Sequence, residues 1–234
     1  MSKSTTTIGD AIKNRSSLHT LSADIQIEDT QVRGIVRDAI LHSPTPFNCQ
    51  SGRAVVLLKD EHHKFWDIAY QVVKASVPPP MFEKVFEPRI KMFLGAYGTV
   101  SAQPAVAGWA VGRLGANAYV RHDQILFYES TNVLKKIQEK MPILKEHVPQ
   151  YSEHANGMLQ YAVWTMLTAE GLGVNLQHYN PMVDTAVAKQ WSIPEDWNLK
   201  AQMVFGKPAG PRLTTKEYEP AEDRMMVFGT LKED

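Results

Sequence analysis

Ala169-Glu170-Gly171-Leu172-Gly173-Val174, continued by Gln177-His178-Tyr179-Asn180-Pro181, is the stretch on which the reading of this chain turns. Upstream of it, Ser152 to Glu170 is long and mostly apolar, with Met158, Leu159, Ala162, Val163, Met166 and Leu167. That composition is expected of a central helix buried on most sides. Gly171 stands where such a helix takes its C-cap, because glycine enters the left-handed region without a Cβ clash. Pro181 is placed to open a further short helix, proline being favoured in the first turn.

Outward from this centre, helical and strand patterns interleave. Residues 8–17 read as a short helix leading to Arg15, Ser16 and Ser17. Val32, Ile35, Val36, Ala39 and Ile40 recur at helical spacing, with Asp29 or Thr30 as N-cap and Ser43-Pro44-Thr45-Pro46 as the stop. Ala54 to Leu58 is a continuous apolar run, expected as a buried strand, and Phe65, Ile68, Ala69, Val72 and Val73 give another amphipathic helix that ends before Pro78 to Pro80. Ile125 to Tyr128 reads as a strand, followed by a helix from about Asn132 to Glu146 broken near Pro142. Leu199, Ala201, Met203 and Phe205 alternate with polar residues as in a half-buried strand, and Met225 to Phe228 reads as a last short one. The class is therefore mixed α and β, α+β, in a single domain over residues 1–234.

Residues 101–124 break the pattern. They hold six alanines and three glycines but only three charged residues, and no convincing amphipathic face. Gly98-Thr99-Val100 and Ile125-Leu126-Phe127 would join into one strand without them. Two readings stay open: an ordinary loop inserted at a strand, or translated non-coding sequence such as a retained intron.

Composition narrows the function. The 234 residues carry 25 Lys and Arg against 25 Asp and Glu, with 44% hydrophobic and 21% charged residues, ordinary values for a soluble globular protein. No basic excess or stripe is present, so no nucleic-acid partner is expected. No apolar run approaches the length of a membrane span, so no membrane partner is expected either. Met1 to Asp10 lacks the apolar core of a secretory signal. Cys49 is the single cysteine, which excludes an intramolecular disulfide and fits a reducing, cytoplasmic setting.

Three separated clusters carry the chemistry: Asn14-Arg15-Ser16-Ser17, then Ser43 to Arg53 with Asn48 and Gln50, then the glycine-rich stretch quoted first. Together, in this order, they resemble the nitroreductase family of FMN enzymes over nearly the whole chain except residues 101–124. The closest pattern is the fungal and bacterial branch with S-x-F-N-x-Q and G-L-G-x-x-L-Q-H-Y-N-P. The resemblance implies a nitroreductase-like fold, a mostly antiparallel sheet flanked by helices. It also implies a homodimer with FMN at the subunit interface. Members take hydride from NADPH or NADH and pass electrons to nitro compounds, quinones or similar small-molecule acceptors.

The resemblance implies these site residues. Arg15, Ser16 and Ser17 would meet the FMN phosphate, which guanidinium pairs bidentately; Ser16 stands where many members have a second arginine. Lys216 and Arg224 are the candidate C-terminal cations. Asn48 and Gln50 carry both donors and acceptors, which suits the pyrimidine edge of the flavin or its ribityl chain. Lys91 resembles the family lysine near N1 and O2, where positive charge stabilises reduced flavin. Gly171 and Gly173 would let backbone approach the ring near N5. No protein acid–base dyad is required, because the flavin carries the chemistry.

Rival readings are weaker. His62 and His63 are adjacent, unlike the i, i+4 ligand pair of a zinc helix, so no metal is expected. Cys49 reads as a turn or pocket residue rather than a nucleophile. Two alternatives to the reductase stay open: a flavin-binding regulatory protein with little turnover, and an inactive splice product.

Overall fold

The computed structural model describes residues 6–22, 27–93, 123–210 and 216–229. Its centre is a five-stranded sheet built from β1 (Leu21–Ser22), β2 (Gly52–Leu58), β3 (Asp123–Ser130), β4 (Gly173–Gln177) and β5 (Trp197–Pro208). β3 lies between β2 and β5, and β1 and β4 follow one another along the far edge of β5. Every pairing of these strands is antiparallel.

Alternation along β3 divides the core into two layers, because successive side chains point to opposite faces. Ile125 and Phe127 pack with Val32, Val36 and Ala39 of α2 (Asp29–His42) and with Leu159, Val163 and Leu167 of α7 (Val148–Ala169). Leu126 and Tyr128 face the other way. They join Phe65, Trp66, Ala69 and Val73 of α3 (Asp60–Ser76), and residues of α5 (Glu87–Phe93) and α8 (Asp184–Trp191). Both faces of the sheet are thus covered by helices, as the α+β expectation required.

The helices end for identifiable reasons. At the start of α2 the cap is Glu28, one residue before the expected Asp29: its carboxylate and the Gln31 side chain satisfy each other's backbone donors as a capping box. α7 begins at Val148, earlier than Ser152, with Pro149 in its first turn. Its end follows the expectation. Gly171 has φ +80°, its N–H donates to Thr168 O and that of Leu172 donates to Leu167 O, the paired bonds of a Schellman cap. α1 (Ile8–Asn14) is capped by Thr7, and α6 (Thr131–Lys140) by Ser130.

Several expectations need correction. β5 is not half-buried but covered on both faces at its centre. A bulge between Phe127 and Tyr128 pairs Phe127 with Ala201 but Tyr128 with Leu199, skipping Lys200. The extra residue turns Leu199 into the α3 layer while Ala201, Met203 and Phe205 stay in the α7 layer. Pro181 lies in the turn before α8 rather than in its first turn. Met225 to Phe228 form no strand and are exposed. α3 does end at Ser76, before Pro78 to Pro80, but Pro79 then opens an unexpected helical segment through α4 (Pro79–Met81), a π turn at Phe82–Phe86, and α5. Of the window 101–124, residues 101–122 lie outside the described residues. Asp123 and Gln124 are fully buried in β3, paired with Leu58 and Leu57. Among the described residues no helix is long and apolar enough to cross a membrane.

Candidate functional site

The first and third sequence clusters meet at the edge of the sheet. Ser17 forms a parallel bridge with Val174 of β4, and Leu18 N–H donates to Val174 O at 3.0 Å. Asn175 Nδ2 donates to Leu18 O at 2.8 Å, and Gln177 Nε2 in turn to Asn175 Oδ1 at 3.0 Å. Tyr179 N–H donates to Gln202 Oε1 at 2.7 Å, and Gln202 Nε2 to Asn180 Oδ1 at 3.1 Å. The polar residues of the long motif therefore hold the segment after Arg15 onto β4 and their own turn onto β5.

Arg15 is the C-cap of α1, and its guanidinium carbon lies 4.7 Å from the centroid of the Trp164 ring on α7. It forms no ion pair with a carboxylate among the described residues. The indole N–H of Trp164 is buried and also lacks an acceptor. A guanidinium without a carboxylate partner suits an anionic oxygen ligand. Ser16 is buried and Ser17 exposed.

The two glycines differ. A Cβ on Gly171 would meet nothing within 4 Å, so this position presents bare backbone to open space. A Cβ on Gly173 would come within 2.6 Å of Leu21 Cδ2 and 3.1 Å of Leu18 Cδ1. Gly173 thus has a packing reason of its own, the close approach of β4 to the chain around Leu18 and Leu21. Overpacking of this kind costs about 1–3 kcal/mol. Gly173→Ala should therefore lower the melting temperature by about 2–12 °C in a thermal scan; an unchanged melt would show that Leu21 moves aside freely.

α5 contributes a cation that sequence reasoning missed. The His19 pKa is lowered by burial and then by the charge of Arg89. Burial pushes the Tyr179 hydroxyl up to about 12, opposed by the same Arg89 charge. One guanidinium therefore bears on both the residue two after Ser17 and the tyrosine of the long motif. No sequence signal singles out Arg89 from its neighbours. Lys91, two residues on, turns to Glu87 at 2.6 Å. That contact raises the Lys91 pKa, while the hydrogen bonds from Lys91 and then Tyr70 lower that of Glu87. The pair is substantially exposed and worth at most about 1 kcal/mol.

The second cluster lies elsewhere in the chain. Asn48 and Gln50 are exposed on a turn in which Phe47, Asn48 and Gln50 have φ of 54°, 51° and 52°. Non-glycine residues in this region are uncommon and gather at functional sites. Thr45 Oγ1 accepts from Gln50 N–H at 3.0 Å, and Arg53 Nη1 donates to Gln50 O at 2.7 Å and Gly52 O at 2.9 Å. Cys49 Sγ is 3.5 Å from Ser51 Oγ within the same turn. Behind it lies a pocket bounded by Ala155 and Leu159 of α7. At about 100° per residue, those two positions are roughly 140–180° around the helix from Trp164. The candidate residues therefore fall in separate groups around α7, Arg15 beside Trp164 and the turn of Asn48 and Gln50 on the side of Ala155 and Leu159. Lys216 and Arg224 are exposed in the C-terminal segment. His62 is buried in α3, with Nε2 3.0 Å from Phe93 O.

Comparison with known proteins places this arrangement. A family model described as the nitroreductase family matches residues 12–207. HBN1 of Saccharomyces cerevisiae is 31% identical over 191 residues, covering 82% of this chain and 80% of that protein. The nitroreductase CinD from Lactococcus lactis, solved with chloramphenicol, superposes with a TM-score of 0.77 at 31% identity, over 95% of this chain and all of CinD; it has also been solved with 4-nitrophenol. A protein of Desulfovibrio desulfuricans solved with FMN shares the fold, with a TM-score of 0.60 at 15% identity over 96% of this chain and 98% of its own.

Proposed function

This chain belongs to the nitroreductase family, and from that premise we propose that it is an FMN-dependent oxidoreductase. It takes hydride from NADPH or NADH and reduces nitro compounds, quinones or similar small acceptors in the cytoplasm. The observation that carries the reading is the bridge from Ser17 to Val174, which brings the Arg15 segment against the glycine-rich turn. CinD, a relative bound to 4-nitrophenol, supports a nitroaromatic acceptor. The Desulfovibrio protein bound to FMN supports the cofactor.

The residues fit the group. Arg15, stacked on the Trp164 ring and without a carboxylate partner among the described residues, would hold the phosphate together with Ser17. Backbone at Gly171, open to space, would lie against the ring. Arg89 supplies positive charge beside His19 and Tyr179. When bound, the flavin supplies hydride and electron transfer, and the protein supplies binding, orientation and electrostatics.

The separation of these groups favours a homodimer, in which Asn48 and Gln50 of one copy face Arg15 and Gly171 of the other. Exposed apolar side chains supply surface for that contact. Ile8 and Ile12 on α1 are 77% and 42% exposed, and Met158 and Tyr161 on α7 are each 43% exposed.

The test is spectroscopic. The purified protein is expected to be yellow and to bleach when NADPH or NADH is added anaerobically. Colour without bleaching favours a flavin-binding protein without turnover. A colourless protein that added FMN cannot reconstitute rejects the flavin reading.

A further inference from the structure

Gln202 of β5 is fully buried although it carries an amide. In register it stands between Leu126 of β3 and Gln177, the last residue of β4. Its side chain passes the end of β4 and meets the turn that follows. Oε1 accepts from the Tyr179 backbone N–H at 2.7 Å, and Nε2 donates to Asn180 Oδ1 at 3.1 Å. These two bonds fix the direction of both amides. A backbone N–H only donates, so the atom of Gln202 that meets it is the oxygen. The other atom is then the nitrogen, which also only donates, so Asn180 turns its oxygen toward Gln202. Asn180 Nδ2 is left on the opposite side of that amide, in a half-buried residue, with no partner among the described residues.

The turn lies along the candidate site. The bridge between Ser17 and Val174 is parallel, so the chain beyond Ser17 and the chain beyond Val174 run the same way. His19 and Tyr179 lie in that direction, and the charge of Arg89 bears on both. The Tyr179 ring is buried edge-on against Trp66 at 5.2 Å, so packing as well as Gln202 holds the turn in place. What the turn presents is a neutral amide N–H. It fits an sp² oxygen on a small molecule, the oxygen of a nitro, quinone or carboxamide group.

We propose that Gln202 is a positioning residue for the oxidoreductase, which rests on the reading given above. It holds the Asn180 amide so that Nδ2 donates to an sp² oxygen of the small molecule that reacts at this turn. That oxygen belongs either to the electron acceptor, as a nitro or quinone group, or to the carboxamide of the hydride donor.

Gln202→Glu is the decisive change. Its carboxylate still accepts from the Tyr179 N–H but no longer donates, so the Asn180 amide turns over and presents its oxygen. Stopped-flow absorbance of the flavin-loaded, full-length protein follows the two half-reactions separately: bleaching by NADPH or NADH, and return of colour with menadione or 4-nitrophenol. One of them is expected to slow at least about threefold, as for a neutral hydrogen bond, with FMN affinity unchanged. A slower return of colour assigns the oxygen to the acceptor, and slower bleaching assigns it to the hydride donor. Two signatures separate this from a loosened turn. In an Asn180→Ala background, Gln202→Glu costs nothing further in that half-reaction. The rate of Gln202→Glu relative to wild type also recovers as pH falls, because the protonated carboxyl donates again. His19, His178 and Tyr179 are common to both proteins and cancel in that ratio. Equal slowing of both half-reactions, no slowing of either, additive losses or a matching fall in FMN affinity overturns the proposal. If Gln202→Glu does not fold, Asn180→Asp makes the same comparison, since it keeps one oxygen toward Gln202 and puts another in place of Nδ2. Nuclear magnetic resonance of the flavin-free protein gives a readout apart from turnover: the Gln202 side-chain amide protons are expected to exchange slowly, and faster in Asn180→Ala. A wild type that binds no flavin but keeps this protection shows that the cofactor reading has failed, and the proposal with it. A flavin-loaded protein without the protection shows that the proposal alone has failed.

Discussion

Replacing Arg15 with alanine is expected to weaken FMN binding about tenfold to a hundredfold, leaving riboflavin binding nearly unchanged. The difference between the two ligands is the phosphate, and Arg15 is the only residue of its cluster with a full positive charge. A hydrogen bond to a charged group is worth about 1.5–3 kcal/mol, which sets the size of the effect. The guanidinium already lies on the Trp164 ring at 4.7 Å, so little side-chain entropy remains to be lost when the phosphate arrives. That stacking contributes about 0.5–1 kcal/mol to the folded protein itself, so a small fall in melting temperature should accompany the variant. Arg15→Lys should recover part of the affinity, since it keeps the charge and loses the planar fork. Fluorescence titration with both ligands decides the matter. An alanine variant that retains wild-type FMN affinity, or loses both ligands equally, removes the phosphate role.

Much of this was legible because the chemistry and the fold use the same residues. The Schellman cap at Gly171 was readable because an apolar run stopped at a glycine. The strand at Ile125 to Tyr128 was readable from its apolar run, while its burial on both faces between two core layers emerges only in the fold. Other features left no local signal. β4 is short, and it is held by pairing with β5 and by Asn175 reaching Leu18 across 157 residues. The bulge at Lys200 reverses the face of Leu199, which no alternation in β5 alone can announce. The segment from Pro79 to Phe93 opens on consecutive prolines and passes through a π turn, so its apolar spacing departs from 3.6 residues. Motif order along a chain also says nothing about which side of a helix each motif reaches. Asn48 and Gln50 read as neighbours of Arg15 in function, yet the fold sets them around α7 from Trp164. The homodimer proposed above, with the motif completed between copies, would resolve the conflict.

Trp66→Ala should destabilise the fold by about 3–5 kcal/mol, the usual cost of emptying a large aromatic site. For a chain of this length that is a fall in melting temperature of about 6–20 °C. Trp66 is fully buried on α3. Its ring lies 4.7 Å from Phe93 of α5 and 5.2 Å, edge-on, from both Phe65 and Tyr179. Those contacts make it the joint between α3, the end of α5 and the turn carrying the long motif. Its indole N–H has no acceptor, so packing rather than hydrogen bonding carries its contribution. Trp66→Phe tests that distinction: it keeps most of the ring, removes the unsatisfied donor and should cost less than about 1.5 kcal/mol. Urea unfolding of both variants gives the two energies. If phenylalanine costs as much as alanine, the N–H has a partner and the packing account is wrong. Loss of the ring should reach the site as well. Tyr179 and α5 bound the region where Arg89 acts, so the alanine variant should weaken flavin binding while still folded, whereas a cavity confined to the core would leave it unchanged.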